Sequence, residues 1–290
     1  MQRIEVMGCP MDVATMEETV ENIRQAVLAE RFTQHVVVNV AKLVNMRDDA
    51  QLRESVESCD IINIDGMGVV LGARFLGHEV PERVTGVDLF HELLTMSARE
   101  GLPVYLLGAQ EEVVAATARK VDVLYPGLQI AGYHHGYFWD DEAAMVEKIR
   151  ASGAKLLFVA ITSPKKENFI NRWRDQLGVT FVMGVGGTFD VVAGKVKRAP
   201  LWMQKWGLEW LYRVIQEPGR MWKRYLITNS KFAWLLFKEK FLKPSSSFVS
   251  STAAHTNSVT DQAAKTVVQE LDSALASEQT AASREVRKVE

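Results

Sequence analysis

Short apolar runs alternate with amphipathic stretches through the first two thirds of the chain. The runs are rich in β-branched side chains and predict buried strands, whereas the stretches between them repeat apolar residues at helical spacing. The predicted strands are 35–40, 60–65, 104–107, 128–133, 155–161 and 179–182, with a strand or hairpin in 1–14. The predicted helices are 15–29, 41–58, 69–76, 88–99, 111–124, 141–151 and 164–176. The pattern predicts an α/β fold, a Rossmann-like, open, mostly parallel sheet with helices on both faces.

Two short polar motifs predict helix ends. Thr15 and Glu18 have the spacing of a capping box at the start of the first helix. Asp48 and Asp49 either interrupt the predicted helix 41–58 or recap it.

An acidic residue ends the predicted buried strand 60–65 and precedes two glycines. Asp65 would lie at the carboxyl end of a strand, where ligands bind in open α/β sheets. Gly66 and Gly68 would allow a tight turn and a close approach to a ligand. Asp65 is therefore either a functional carboxylate or the cap of the next helix. Asn39, at the end of another predicted strand, either lines the same crevice or satisfies a neighbouring loop.

Glycine turns and one polar loop supply further candidates. Gly108 and the cluster Gly184, Gly186 and Gly187 follow strands, where backbone amides bind anions well. Asp190, just beyond, binds a ribose or base, or caps a helix. The loop 81–88 carries Arg83 and Thr85, which are functional or merely solvated. None of these turns has the Gly-x-Gly-x-x-Gly pattern of a dinucleotide site.

A basic, tryptophan-rich segment follows the alternating region. Residues 198–243 contain ten Lys or Arg and three acids, a net charge of +7, and five of the seven tryptophans. Trp202, Trp206 and Trp210 share one helical face, and so do Arg213, Arg220 and Arg224. The segment predicts a helical appendage that packs its aromatics on the sheet, or one that faces a membrane and binds anions. We favour a mixture of the two.

Composition excludes several other classes. The net charge of −2, with 47% hydrophobic and 24% charged residues, is ordinary for a globular protein and gives no reason to expect nucleic acid. Cys9 and Cys59 form neither a disulfide framework nor a zinc motif. The acidic start and the lack of a 20-residue apolar run predict a cytoplasmic protein without signal peptide or membrane span. The composition of residues 244–290 predicts that this segment is a mostly disordered tail.

An ordered set of short motifs resembles one family, the WecG/TagA/CpsF glycosyltransferases, over about residues 1–243. The motifs are Asn39, Ile64-Asp65-Gly66-Met67-Gly68, Glu82-Arg83-Val84-Thr85-Gly86, Leu107-Gly108, Tyr125-Pro126-Gly127, Ser163-Pro164-Lys165, Gly184-Val185-Gly186-Gly187-Thr188-Phe189-Asp190, Ala193-Gly194, Arg198-Ala199-Pro200, Gly207-Leu208-Glu209-Trp210 and Glu217-Pro218-x-Arg220. The resemblance divides the chain into an α/β body (1–197), a membrane-facing appendage (198–243) and the tail.

The resemblance implies transfer of a sugar from a UDP-sugar to a polyprenyl-diphosphate-linked sugar at the cytoplasmic membrane face. The implied reaction is inverting and needs neither a metal nor a cofactor. It makes Asp65 the base, with Arg83 as a second catalytic candidate. The remaining implied site residues are Asn39, Thr85, Lys166 and Glu167 for the substrate, Gly108, Gly186, Gly187 and Asp190 for the nucleotide, and Arg213, Arg220 and Arg224 for the diphosphate. The resemblance also implies that the protein contacts an anionic membrane surface. It leaves open whether the chain forms a homo-oligomer.

Elementary chemistry agrees with this implication. Inversion by one in-line attack needs a single base for the acceptor hydroxyl. The departing diphosphate needs cations or aligned amides. Since the chain has no Asp-x-Asp motif to hold a metal, arginines are the alternative, because they bind phosphate oxygens bidentately.

Two positions depart from the family pattern in its sugar pocket. Val37 stands where the family often has Thr, and Lys166 stands where it usually has Gln. They leave the donor open among N-acetylmannosamine, its uronate and a glucuronate-type sugar. Lys166 either pairs with a uronate carboxylate or is a solvated charge.

Two rival functions remain for the sequence. A nucleotide-dependent oxidoreductase would use the same fold but requires the missing glycine fingerprint. A non-enzymatic membrane scaffold would use the basic segment but gives no reason for Asp65, Arg83 and the glycine turn to occur together.

Overall fold

Eight strands form one sheet in the computed structural model, which describes residues 1–242 except for the side chains of Arg220, Met221 and Arg224. The strands are β1 (Gln2–Val6), β2 (Cys9–Val13), β3 (Thr33–Val38), β4 (Ile61–Ile64), β5 (Val104–Gly108), β6 (Ile130–His134), β7 (Leu156–Ala160) and β8 (Phe181–Gly184). Their order is β1-β2-β4-β3-β8-β7-β5-β6. The β1–β2 pair is antiparallel and the other pairs are parallel, which confirms the predicted sheet.

Helices connect the strands and cover both faces of the sheet. They are α1 (Met16–Leu28), α2 (Val40–Asn45), α3 (Ala50–Glu57), α4 (Met67–Leu76), α5 (Gly86–Glu100), α6 (Glu111–Leu124), α7 (Glu142–Ala151), α8 (Lys165–Trp173), α9 (Thr188–Ala193), α10 (Leu201–Lys205), α11 (Glu209–Gln216) and α12 (Pro218–Leu242). Successive residues of β3 point to opposite faces of the sheet. Val37 packs against the helices of one face, which are α1, α5, α6 and α9. Val36 and Val38 pack against those of the other face, which are α2, α3 and α4. Helices on both faces, as predicted, therefore enclose the sheet.

The polar motifs at helix ends behave as predicted. The Thr15 side chain accepts from the Glu18 N–H, and the Glu18 carboxylate accepts from the Thr15 N–H, which confirms the capping box. The predicted helix 41–58 is two helices, because the Asp49 carboxylate accepts from the Leu52 N–H and caps α3. Asp49 therefore caps a second helix, which is one of the two alternatives that the sequence left open.

The last helix of the basic segment, α12, packs against α2 and α4. Phe232 of α12 is 6% exposed and belongs to the same cluster as Val69 and Ala73 of α4. Gly72 permits this approach, because a Cβ there would lie 2.8 Å from Phe232 Cζ. Residues 1–243 form one compact unit, so the boundary at 197/198 stays a prediction. The predicted tail 244–290 lies outside the described residues.

A glycine at the end of β5 makes the tightest backbone contact with the neighbouring strand. Gly108 has φ +126°, and a Cβ there would lie 2.4 Å from the Ala160 carbonyl oxygen of β7. Real Cβ atoms do not approach backbone that closely, so a side chain would separate the two strands. The close approach explains the glycine without a ligand, although the residues that follow it reach the candidate site.

We predict that Gly108→Ala destabilises the protein by roughly 3 kcal/mol, because strain at positive φ adds to the overpacking. Urea unfolding followed by tryptophan fluorescence measures the loss. Gly187→Ala is the control, since Gly187 has φ −78° and a Cβ there meets no atom within 4 Å. Its cost should stay below about 1 kcal/mol, and equal losses in the two variants would contradict the interpretation.

Candidate active site

A cleft of about 720 Å³ opens at the carboxyl ends of the parallel strands. The turns after β3, β4, β5, β7 and β8 contribute to it. Its lining includes Asn39 and Lys42, Asp65, Ala109 and Gln110, Thr162, Ser163, Lys165 and Lys166, Gly184 to Thr188, Asp190 and Arg213. This is the edge at which open α/β sheets bind ligands.

Asp65 lies half-buried in this cleft, directly after β4. The structure excludes the helix-cap interpretation, because the cap residue of α4 is Gly66 and no side chain makes a capping bond there. The backbone amide of Gly86, at the start of α5, instead acts on the Asp65 carboxylate and lowers its pKa slightly. Burial raises the pKa of Asp65, Arg83 and Arg213 oppose the rise, and the charge of Glu209 adds to it. A raised pKa makes this carboxylate a stronger base.

Arg83 is held beside Asp65 by a carboxylate of the basic segment. Its Nη1 lies 2.5 Å from Glu209 Oε2 on α11, and both side chains are mostly buried, at 15% and 27% exposure. Arg198 lies 3.7 Å from the other Glu209 oxygen. The Arg198 guanidinium also binds Asp88 bidentately, at 2.5 and 2.8 Å. The chain of charges therefore connects the loop beside Asp65 to α5 and α11.

Thr85 is the N-cap of α5 and belongs to the same network of polar and charged side chains. Its hydroxyl accepts from the Asp88 N–H at 3.1 Å and donates to Asp88 Oδ2 at 2.6 Å. The side chain is buried and lies outside the cleft lining. The geometry gives Thr85 a capping role, and its predicted contact with substrate stays a prediction.

Asn39 and Asp65 come together in the cleft. Asn39 caps α2, because its Oδ1 accepts from the Lys42 N–H at 3.0 Å. A Cβ on Gly66 would lie 3.4 Å from Asn39 Cβ, so Gly66 keeps the two turns close. Asn39 therefore lines the crevice with Asp65, and its side chain caps its own helix instead of satisfying a neighbouring loop.

Lys166 and Glu167 are buried at the start of α8. Lys166 Nζ lies 2.7 Å from Glu167 Oε1, and Lys42 Nζ lies 2.8 Å from the same oxygen. The solvated-charge reading of Lys166 is therefore wrong. Burial, and then Lys42, lowers the pKa of Lys166 to about 8. Burial alone would raise the pKa of Glu167, but the two ammonium groups lower it to about 2.

The turn after β8 leaves backbone open to the cleft. Gly186 has φ +55°, and a Cβ on either Gly186 or Gly187 would meet no atom within 4 Å. Asp190 lies in the first turn of α9 and also lines the cleft. Gly108 itself faces Ala160, whereas Ala109 and Gln110 after it reach the cleft.

The predicted diphosphate arginines are placed unequally. Arg213 on α11 is exposed and lines the cleft. Arg220 and Arg224 belong to α12, but their side chains lie outside the described residues. Within residues 1–242, no group of three or more His, Cys, Asp or Glu side chains is arranged to hold a metal ion.

Several cleft residues were missed at the sequence level. Gln110, Tyr137, Trp139, Lys165 and Lys195 line the cleft, and Lys165 Nζ lies 5.0 Å from the centre of the Trp139 ring. The aromatic run after the strand 128–133 was a usable signal, since strand ends form the site. Glu209 was noticed only as part of a motif, and its partner Arg83 is 126 residues away.

One family model matches this chain. The model is described as the glycosyl transferase WecG/TagA/CpsF family, and the match covers residues 4–246. It spans all the cleft residues and every described element except the first two residues of β1, so it confirms the resemblance drawn from the motifs.

We predict that Glu209→Gln lowers the pKa of Asp65, because it removes a negative charge and releases Arg83. The ¹³C shift of the Asp65 carboxyl carbon, followed against pH, measures the change. Glu147→Gln is the matched control, since Glu147 also lies 2.5 Å from an arginine but does not line the cleft. A pKa that rises, or that shifts equally in both variants, would refute the coupling.

Proposed function

We propose a specific reaction for this chain, which belongs to the WecG/TagA/CpsF family of glycosyl transferases. Membership makes it a glycosyltransferase of cell-surface polysaccharide synthesis, with a nucleotide-sugar donor and a lipid-linked acceptor. The proposed reaction moves a hexose-type sugar from UDP to a polyprenyl-diphosphate-linked saccharide, with inversion and without a metal ion. The observation that carries it is a half-buried carboxylate, Asp65, which lies in the cleft and has no capping role.

Asp65 is the general base of the proposed reaction. The acceptor hydroxyl oxygen attacks the anomeric carbon of the donor, and its proton passes to the Asp65 carboxylate. The bond between that carbon and the diphosphate oxygen breaks, and UDP leaves with the electron pair. Inversion needs only this one displacement, for which a single base is sufficient. Arg83 assists by stabilising the ionised form of Asp65.

The departing diphosphate accumulates negative charge, which requires cations or amides. Arg213 lines the cleft and supplies one guanidinium. We assign Arg220 and Arg224 to the same task from the sequence. The open backbone at Gly186 and Gly187 allows the nucleotide to approach, with Asp190 beside it. We assign Asn39 and Lys166, which also line the cleft, to the donor sugar.

Family membership favours this reaction over the rival oxidoreductase and the rival scaffold. A calorimetric titration separates the three. UDP binding in the presence of a chelator supports the transferase, NAD binding supports an oxidoreductase, and binding of neither supports a scaffold.

We further propose that the basic segment docks the enzyme peripherally on anionic membrane at the cytoplasmic face. None of the helices within residues 1–242 has the length and apolar character for a membrane crossing. Large apolar side chains of the segment are exposed instead, and they include Trp202 at 60%, Trp206 at 77% and Trp234 at 61%. Interfacial tryptophans beside basic residues suit the headgroup region of a bilayer.

We predict that Asp65→Asn lowers turnover about 10²–10⁴-fold, the contribution expected of a general base, while UDP affinity is retained. Steady-state transfer to a lipid-linked acceptor and calorimetric UDP binding are the two measurements. In the wild type, activity should be lost as the pH falls through the raised pKa of Asp65, since the base must be ionised. Near-normal turnover in the variant would remove Asp65 from the mechanism.

We predict that the double variant Trp202→Ser with Trp206→Ser weakens sedimentation with phosphatidylglycerol vesicles severalfold at high salt. Interfacial aromatics provide the part of binding that salt does not screen, whereas basic residues contribute about 1 kcal/mol each at low salt.

The control for this prediction removes exposed apolar side chains elsewhere. Val123 and Leu124 at the end of α6 are 78% and 60% exposed, and Val123→Ser with Leu124→Ser should bind vesicles as the wild type does. Equal weakening in both double variants, or none in either, would show that the tryptophans do not dock on the bilayer.

A further inference from the structure

One wall of the cleft contains a buried cluster of two lysines and one glutamate. Lys42 and Lys166 both contact Glu167 Oε1, at 2.8 and 2.7 Å. The three side chains are only 6%, 8% and 3% exposed. Both lysines line the cleft, and Glu167 lies behind them. A ligand in the cleft therefore meets the ammonium side of the cluster.

The charges of this cluster do not balance. Glu167 is ionised at neutral pH because the two ammonium groups lower its pKa. Two cations thus share one anion, and the cluster carries a surplus of one positive charge. Buried charge is costly unless it is paired. Burial and the positive charge of Lys42 accordingly lower the pKa of Lys166. We therefore assign the unpaired positive charge to Lys166.

The surrounding chain makes room for Lys166 in this position. A Cβ on Gly184 would lie 2.9 Å from both Cδ and Cε of Lys166, so the missing side chain creates the channel for the lysine stem. Lys42 is fixed separately, because its Nζ donates to the Val37 carbonyl at 2.7 Å. The Val37 side chain beside them is apolar and cannot compensate the surplus.

We propose that this lysine pair binds the C6 carboxylate of a uronic-acid donor sugar. The inference rests on the proposed function and adds the class of donor to it. A carboxylate in the cleft would give the cluster two positive and two negative charges. A neutral hexose would leave the surplus charge buried and unpaired, so the wall discriminates between the two sugars.

A second anion is available in the same ligand, the diphosphate of UDP. Carboxylate and phosphate oxygens both accept hydrogen bonds from ammonium groups. The two sources are separable, since UDP and every UDP-sugar contain the diphosphate, whereas the carboxylate is present only in UDP-uronates.

The test is calorimetric titration of the full chain with two matched pairs of ligands. UDP-glucose and UDP-glucuronate form one pair and UDP-galactose and UDP-galacturonate the other, and the members of each pair differ only at C6. We expect the wild type to bind at least one uronate about tenfold or more tightly than its hexose, the scale of one charge-assisted hydrogen bond. Lys166→Gln should reduce this ratio to about one, and Lys166→Arg should retain most of it.

Lys148→Gln is the matched control, because it makes the same change in net charge at an exposed position outside the cleft lining. It should leave the ratio of uronate to hexose affinity unchanged. Lys166→Met keeps an apolar stem in the Gly184 channel and replaces Lys166→Gln if the latter fails to fold.

Three results would overturn the inference. Equal binding of hexose and uronate in both pairs by the wild type is the first. The second is a loss in Lys166→Gln that is the same for UDP, hexose and uronate, which would assign the lysine to the diphosphate and leave the proposed function intact. The third is failure of UDP itself to bind, which would overturn the proposed function as well.

Discussion

The parallel register of β3 and β4 is the constraint on which the site depends. Val38 is opposite Ile64, and the Asp65 N–H donates to the Val38 carbonyl at 3.0 Å. The two strands therefore end together, and the turns that follow them deliver Asn39 and Asp65 to one crevice. Gly66 has no side chain to separate those turns. A register shift of one residue would turn Asp65 toward the opposite face of the sheet.

Electrostatics in the cleft are divided between two walls. On one wall Asp65 is half-buried near Arg83, Arg213 and Glu209, so a carboxylate with a raised pKa lies beside cations that favour its ionised form. On the other wall Lys42 and Lys166 face Glu167. The charged groups around Asp65 and those around Glu167 are therefore two separate sets.

The basic segment contacts residues near Asp65 and also faces solvent. Glu209 of α11 contacts both Arg83 and Arg198, and Arg198 reaches Asp88 at the start of α5. Phe232 of α12 is buried against α4, the helix that follows Asp65. Contacts that dock this segment on a membrane would therefore also bear on the residues around the base.

The sequence by itself determined the elements, their alternation and the class of sheet, because hydrophobic period and capping are local properties of the chain. It also indicated Asp65, Asn39 and the glycine turn, since each follows a strand. Tertiary structure decided what no local pattern contains. It showed that Gly108 serves strand packing, that Thr85 caps a helix, that Lys166 is buried against Glu167 and Lys42, and that Glu209 holds Arg83. Each of these facts depends on strand order and on contacts between residues distant in the chain, which the one-dimensional pattern does not specify.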